Sequence, residues 1–77
     1  MQTNENEQSP FRYLAKREQQ IANYLLKGMK TKEIALMLAI KPNTVSTIKK
    51  NVFFKLGVGN LVELLRLAME HHFPNSL

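Results

Sequence analysis

The sequence predicts an all-α fold made of four short helices. Apolar residues recur at intervals of three and four in four successive stretches, which is the spacing of one helix face. Each stretch is bounded by residues that favour helix ends, and no stretch shows the pattern of a strand. The chain has 77 residues, of which 44% are hydrophobic, and this is enough for one small core.

The two ends of the chain predict tails around a single domain. Residues 1–10 are mainly Asn, Gln, Glu, Ser and Pro, and they hold too little apolar surface to fold, so we expect a disordered tail or linker. The domain is expected over residues 11–73, with a C-terminal tail over residues 74–77. The start of the chain has no basic and apolar leader, and no apolar run approaches the roughly 18 residues of a membrane span. We therefore expect a cytoplasmic protein without a membrane segment.

The first helix is expected over residues 16–27, because Ile21, Ala22, Leu25 and Leu26 share one face and Gly28 provides a stop. A second helix of about eight residues follows in the stretch KTKEIALMLAI. We expect the side chain of Thr31 to cap its start. Its inward face consists of Ile34, Ala35 and Leu38.

The third helix is expected over residues 42–56, between Pro42 and Gly57. Proline suits the first helical position, and it disfavours helical geometry at Lys41, so a tight turn should separate the second and third helices. The fourth helix is expected over residues 61–71. Asn60 and Glu63 resemble a capping box at its start. Its expected core residues are Leu61, Leu64, Leu67 and Ala68.

The charge is concentrated in the folded part of the chain. The formal net charge is +5, but residues 12–66 contain all 11 Lys and Arg residues and only three acids, which gives this span +8. A compact basic body is typical of a protein with a polyanionic partner. An ordinary solvated surface is the alternative interpretation of the charge alone.

The third helix has two faces of different chemistry. At about 100° per residue, its inner stripe contains Val45, Ile48, Val52 and Leu56. Its outer stripe contains Asn43, Ser46, Thr47, Lys50 and Phe54. Hydroxyl, amide and ammonium groups suit base edges and phosphates in the major groove of DNA, and no acid interrupts this face. A short helix, a tight turn and a longer polar-faced helix together form the arrangement of a helix-turn-helix.

Several short motifs extend this interpretation to a known family. The chain resembles the LuxR-type (NarL-type) helix-turn-helix domain over residues 14–68. The matching residues, in order and in register, are Leu14, Arg17-Glu18, Lys32-Glu33-Ile34-Ala35, Thr44-Val45 and Lys55-Leu56-Gly57-Val58. Members of this family are commonly bacterial transcription regulators, either as output domains of response regulators and signal receptors or as stand-alone proteins.

The resemblance implies roles for individual residues. The third helix becomes the recognition helix, and the residues that match base-facing positions are Ser46, Thr47 and Lys50. The residues that match or adjoin phosphate-binding positions are Lys32, Asn43, Thr44 and Lys49. The fourth helix matches the family's dimerisation helix, and it has a second apolar side formed by Val62, Leu65 and Met69. This side predicts a weak homodimer and a DNA site of two inverted half-sites. Burial of the same side by the core and by the segment PFRYL is the alternative.

The chain also departs from the family pattern. Ala15 stands where Thr is usual, which removes a cap worth about 1 kcal/mol. Ile48 replaces a common His, and Lys41 replaces a usual Ser. Apolar residues at positions where polar ones are more usual are Leu36, Met37 and Phe54. These three either add packing or contact a partner.

The sequence gives no indication of catalysis, a cofactor or a metal. There is no cysteine, and the adjacent residues His71 and His72 point about 100° apart with no third ligand type spaced to join them. Glu18 and Glu33 suit the first turns of helices better than an acid–base pair. One different function remains open: a protein-interaction module of the same fold, docking on an RNA polymerase subunit or a sensory domain through its unusual apolar residues. Dependence of DNA binding on Lys50 distinguishes the two.

Overall fold

The computed structural model describes residues 10–71. These residues form a short 3₁₀ helix and four α-helices, and no strand occurs within this range. The elements in order are the 3₁₀ helix Pro10–Tyr13, α1 Lys16–Leu26, α2 Thr31–Leu38, α3 Pro42–Leu56 and α4 Leu61–Glu70. The expected all-α fold of four helices is confirmed, and only the C-terminal ends of α1 and α4 fall one residue earlier than expected.

The tails expected from the sequence lie almost entirely beyond this range. Pro10, the last residue of the expected N-terminal tail, begins the 3₁₀ helix, and the next residue, Phe11, is buried in the core. Residues 1–9 and 72–77 lie outside the described residues. Between residues 10 and 71, no helix is long and apolar enough to cross a membrane.

The core lies around α3, which packs against α1, α2 and the 3₁₀ helix, while α4 packs against α1. Val45 and Val52 have no exposed surface, and Ile48 is half-buried against the same cluster. The buried apolar residues are Phe11, Leu14, Ile21, Ala22, Leu25, Ile34, Ala35, Val45, Val52, Leu56, Leu64 and Ala68. The inner stripe expected for the third helix is therefore the face that α3 turns to the core.

Carboxylates rather than hydroxyls hold the starts of α1 and α2. Glu18 accepts a hydrogen bond from the backbone amide of Ala15 at 2.8 Å, and Glu33 accepts one from the amide of Lys30 at 2.7 Å. The expectation that Thr31 caps α2 is wrong, because Thr31 is the first helical residue and Lys30 occupies the cap position. The cap of α1, Ala15, makes no side-chain hydrogen bond, as its replacement of Thr implies.

The turn between α2 and α3 consists of residues 39–41. Ala39 adopts a left-handed conformation with φ 58°, and its amide donates to the carbonyl of Leu36 at 3.3 Å. The amide of Ile40 donates to the carbonyl of Ala35 at 3.0 Å. Lys41 is extended and Pro42 begins α3, as the sequence predicts. This short turn sets the direction in which α3 leaves α2.

Helices α1 and α3 both end at a glycine in the left-handed region. Gly28 has φ 87° and Gly57 has φ 69°, and each follows the last helical turn. The residue after each glycine, Met29 or Val58, donates its amide back to a carbonyl of that turn, at 3.1 and 3.0 Å. Only glycine adopts this geometry without strain, so the glycine at each position determines where the helix ends.

The start of α4 confirms part of the expected capping box. The Asn60 side chain accepts from the amide of Glu63 at 2.9 Å, but the Glu63 carboxylate accepts from Gly59 rather than from Asn60. Leu64 and Ala68 are buried and Leu67 packs against the core. The expectation that Leu61 faces the core is wrong, because this first helical residue is 40% exposed and burial begins one turn later.

Candidate nucleic-acid interface

The outer stripe of α3 is polar except for Phe54, and it faces away from the core. Asn43, Thr47, Lys50 and Phe54 are exposed, and Ser46 is half-buried at one edge. A stripe at these spacings lies along one side of a helix, because successive residues turn by about 100°. Helix α3 contains no Asp or Glu. The surface thus combines hydrogen-bonding groups with a positive charge and nothing that repels a phosphate.

The Thr47 hydroxyl is committed to the helix itself. Its Oγ1 donates a hydrogen bond to the backbone carbonyl of Asn43 at 3.1 Å. The hydroxyl proton therefore points along the helix, and the side chain offers solvent its oxygen lone pairs and its methyl group. A group in this state accepts a hydrogen bond from a base amino group or packs against a methyl group. The residue pattern alone gave no sign of this restriction.

Lys49 lies on the flank of α3 and not on the outer stripe. Its ammonium group lies 5.6 Å from the centre of the Phe53 ring, within the range of a cation–π interaction. The side chain is half-buried, which places its charge beside the helix. This position suits contact with the wall of a groove, where phosphates lie, better than contact with base edges on its floor.

The remaining residues with expected phosphate roles lie near helix starts. Lys32 is the second residue of α2, and Asn43 and Thr44 are the second and third residues of α3, and all three are exposed. No side chain caps the start of α3. Free backbone amides and the positive end of the helix dipole at such a start favour an anion. Exposed hydrogen-bond donors therefore lie at the starts of two successive helices, α2 and α3.

An ion pair fixes the far end of α3 to the start of α1. The Lys55 ammonium lies 2.9 Å from a carboxylate oxygen of Glu18, which is nearly buried. The hydrogen bond from Lys55 is the main cause that lowers the pKa of Glu18, and the Ala15 amide lowers this pKa further, while burial opposes both. Lys55 therefore helps to orient α3, and its ammonium group is already engaged within the domain.

The three unusual apolar residues do not add packing. Leu36 and Phe54 are exposed over 83% and 87% of their surfaces, and Met37 is also exposed. Extra packing, one of the two explanations considered from the sequence, is thus wrong for all three. Contact with a partner, the other explanation, stays a prediction.

A second exposed surface runs along α4. Val62, Leu65 and Met69 are all exposed and line an open groove together with Arg66 and Glu70. The alternative that the core and the N-terminal segment cover these three residues is wrong. Sequence reasoning did not include the two charged residues, although the spacing of four from Val62 to Arg66 to Glu70 indicates a shared face.

No metal centre is formed by the part of the chain that the structure describes. Among residues 10–71, no three His, Asp or Glu side chains come close enough together to hold a metal ion. His71 ends α4, and His72 lies outside the described residues.

Comparisons with known proteins support the same helix-turn-helix interpretation as the geometry of α2 and α3. The family model described as "Bacterial regulatory proteins, luxR family" matches residues 12–68. The response regulator UvrY of Escherichia coli strain K12 is 39% identical over 72 residues, which cover 94% of this chain and 33% of that protein. The transcriptional regulatory protein UhpA of the same strain is 51% identical over 53 residues, which cover 69% of this chain and 27% of UhpA.

A third relative has a similar level of identity and coverage. The Fimbriae Z protein of Salmonella typhimurium is 43% identical over 58 residues, which cover 75% of this chain and 28% of that protein. The chain thus spans about a third or less of the length of these curated relatives. A family match over most of the described residues, with the helix-turn-helix at its centre, establishes the relationship. The chain belongs to the luxR family of bacterial regulatory proteins, and α2 and α3 form its helix-turn-helix.

Proposed function

We propose that the domain binds double-stranded DNA sequence-specifically by placing α3 in the major groove. The observation that carries this proposal is the outer stripe of α3, which is exposed, free of acids and presented by the second helix of a helix-turn-helix. In this arrangement Ser46, Thr47 and Lys50 contact base edges. Lys50 suits the acceptor groups of guanine, and Thr47, whose proton is held by Asn43, acts as an acceptor or through its methyl group.

A second set of residues positions the helix without reading sequence. Lys32 and Lys49 supply charge to the phosphates, and Asn43 and Thr44 supply donors at the uncapped start of α3. Support for this assignment comes from their exposure near helix starts and from the flanking position of Lys49. Loss of one of these contacts weakens binding to all sequences alike.

Pairing of two copies through α4 completes the proposed binding mode. A single small domain contacts few base pairs, whereas a two-fold dimer reads two inverted half-sites on one duplex. The exposed groove lined by Val62, Leu65 and Met69 supports this pairing. Three apolar side chains from each copy form a small interface, so the dimer is weak in free solution and assembles on DNA.

The whole protein is proposed to be a response regulator whose output domain is this chain. The support is the name of UvrY, a response regulator, of which the chain matches a third. A receiver domain and RNA polymerase are then the partners besides DNA. Because bacterial DNA lies in the cytoplasm, the protein acts there. Docking on a polymerase subunit or a sensory domain as the domain's main role is not favoured, because the relative UhpA is named a transcriptional regulatory protein.

Selection of bound sequences from random duplexes tests the proposed function. The full chain should enrich a short motif, and that motif should recur as an inverted repeat when long duplexes are used. The non-specific part of the affinity should fall steeply with salt. Enrichment of no motif, with binding that depends on salt alone, would show that the outer stripe does not read sequence.

A further inference from the structure

Phe54 is an apolar ring on an otherwise polar stripe. It is exposed over 87% of its surface, although phenylalanine is among the residue types most often buried. Its neighbour Phe53 packs against the core and receives Lys49. Phe54 contributes nothing comparable to the fold. Its exposed ring is therefore available for a contact outside the domain.

The helix geometry places Phe54 on the surface proposed to enter the groove. Residues 50 and 54 are separated by four positions, so their side chains lie on the same side of α3, about 6 Å apart along its axis. Base pairs are stacked at intervals of about 3.4 Å. When Lys50 faces one base pair, Phe54 faces a base pair about two steps further along the groove. A long side chain is needed at this point, because a straight helix moves away from the curved groove floor toward its ends.

The chemistry of the groove floor limits what a phenyl ring can contact. Base edges in the major groove carry hydrogen-bond donors and acceptors, which offer the ring nothing. The exception is the methyl group at C5 of thymine, which is apolar and points into the groove. Cytosine carries the same group at the same atom when it is methylated. A ring that is pressed against such a methyl group removes both from water.

We propose that Phe54 contacts the 5-methyl group of a pyrimidine about two base pairs beyond the pair read by Lys50. Phe54 thereby selects thymine or 5-methylcytosine at that position. This inference rests on the proposed function, because it requires α3 to lie in the major groove. The continuity of Phe54 with Lys50 on an acid-free face favours DNA as the occupant over a protein surface.

Single-atom changes in the selected duplex test the proposal. Thymines are replaced one at a time by deoxyuridine, which removes only the methyl group, and the dissociation constant of the full chain is measured at fixed salt. One replacement should weaken binding about fourfold, which is the effect of exposing one methyl-sized group. In a second arm the same pyrimidine is cytosine or 5-methylcytosine, and the methylated base should bind about fourfold more tightly. Each arm tests the methyl contact on one base, and a direct comparison of the thymine duplex with the 5-methylcytosine duplex shows which base the chain prefers.

Two variants at the site and one control assign the effect to Phe54. Phe54→Ala should bind thymine and deoxyuridine duplexes equally, and Phe54→Leu should keep part of the discrimination. Leu36→Ala removes a side chain of similar exposure on α2, and it should keep the full discrimination.

Three outcomes would overturn the proposal. The parent chain may discriminate at no thymine and no methylated cytosine while Lys50→Ala still lowers its affinity; the proposed function then stands and the role of Phe54 is wrong. Methyl discrimination that survives Phe54→Ala assigns the contact to another residue. DNA binding unchanged by Phe54→Ala, with loss of binding to RNA polymerase, assigns Phe54 to a protein interface. By contrast, failure of the chain to select any sequence removes the proposed function itself.

Discussion

The carboxylate of Glu18 connects the start of α1 to the last turn of α3. It accepts hydrogen bonds from Lys55 at 2.9 Å and from the Ala15 amide at 2.8 Å. Glu18 lies in the first turn of α1, and Lys55 lies 37 residues later, in the last turn of α3. The short turn after α2 fixes the position of the start of α3, and this ion pair fixes the position of its last turn. The outer stripe is therefore held at both ends.

Acid should weaken the domain through Glu18. The pKa of Glu18 is lowered in the folded state, chiefly by Lys55, from an ordinary value of 4.5. A lowered pKa means that the contribution to stability is complete above the ordinary value and is lost as the pH falls through the folded-state pKa. Glu18→Gln should lose about 1 kcal/mol of unfolding free energy near neutral pH and show a shallower decline below pH of about 5. Urea unfolding at a series of pH values measures both.

Lys55→Met provides the matched control for this prediction. Removal of the main cause of the lowered pKa should flatten the acid limb nearly as much as Glu18→Gln does. The double variant should lose less stability than the sum of the two single variants, since both remove one interaction. Strictly additive losses, or an unchanged acid limb in Glu18→Gln, would contradict the role assigned to this pair.

Ala39→Gly should stabilise the domain. Ala39 has φ 58°, a conformation that costs a residue with a side chain about 1–2 kcal/mol and costs glycine almost nothing. The greater freedom of glycine in the unfolded chain offsets part of this gain, so we expect about 0.5–1 kcal/mol of added stability. Thermal unfolding gives the value. Ala68→Gly, within α4, should have the opposite sign, and a destabilised Ala39→Gly would show that the turn has another conformation in solution.

Val52→Asp should unfold the domain. Val52 has no exposed surface and lies on the inner stripe of α3, so an aspartate there would be a buried and unpaired charge. A cost of about 4 kcal/mol or more approaches the whole stability of a small domain. Asn51→Asp, at the exposed neighbouring position, introduces the same group and should fold normally. A cooperative melting transition of Val52→Asp in circular dichroism would mean that the faces of α3 are assigned the wrong way round.

The sequence predicted the helices well wherever a residue's own chemistry sets a boundary. Pro42 and Gly57 limit α3 to the residues expected, and the spacing of the apolar residues identifies its core face. The 3₁₀ helix was not predicted, because four residues are too few to show a period, and the burial of Phe11 depends on contact with distant elements. The cap of α2 was predicted one residue late, since Lys30 occupies the cap position and its amide donates to the carboxylate of Glu33, three residues later.

The residues of the site were predictable from the sequence, but the contacts of their side chains were not. Residue types and spacing identify the outer stripe, since both are local properties of one helix. The hydrogen bond that occupies the Thr47 hydroxyl and the contact of Lys49 with Phe53 depend on side-chain rotamers, which no spacing rule determines. The exposure of Leu36 and Phe54 depends equally on where neighbouring helices end.

Met69→Glu should abolish cooperative binding to two inverted half-sites. Met69 is 77% exposed in the groove of α4, and a glutamate there would place two like charges in the apolar contact between copies. Affinity for a single half-site should be nearly unchanged. Titration of a duplex with both half-sites measures the effect, and Met69→Leu should retain cooperativity. If the parent chain fills the half-sites independently and Met69→Glu does the same, α4 is not the dimer surface.

The most direct test of base reading by the outer stripe compares Lys50→Ala with Lys32→Ala on the selected duplex and on its single-base-pair variants. Lys50→Ala should cost about 1–3 kcal/mol on the selected site and relax the preference at one base pair. Lys32→Ala should weaken all duplexes alike and lower the salt slope by about one unit. If Lys50→Ala binds the selected site as tightly as the parent chain and keeps every base preference, the outer stripe of α3 is not the reading surface.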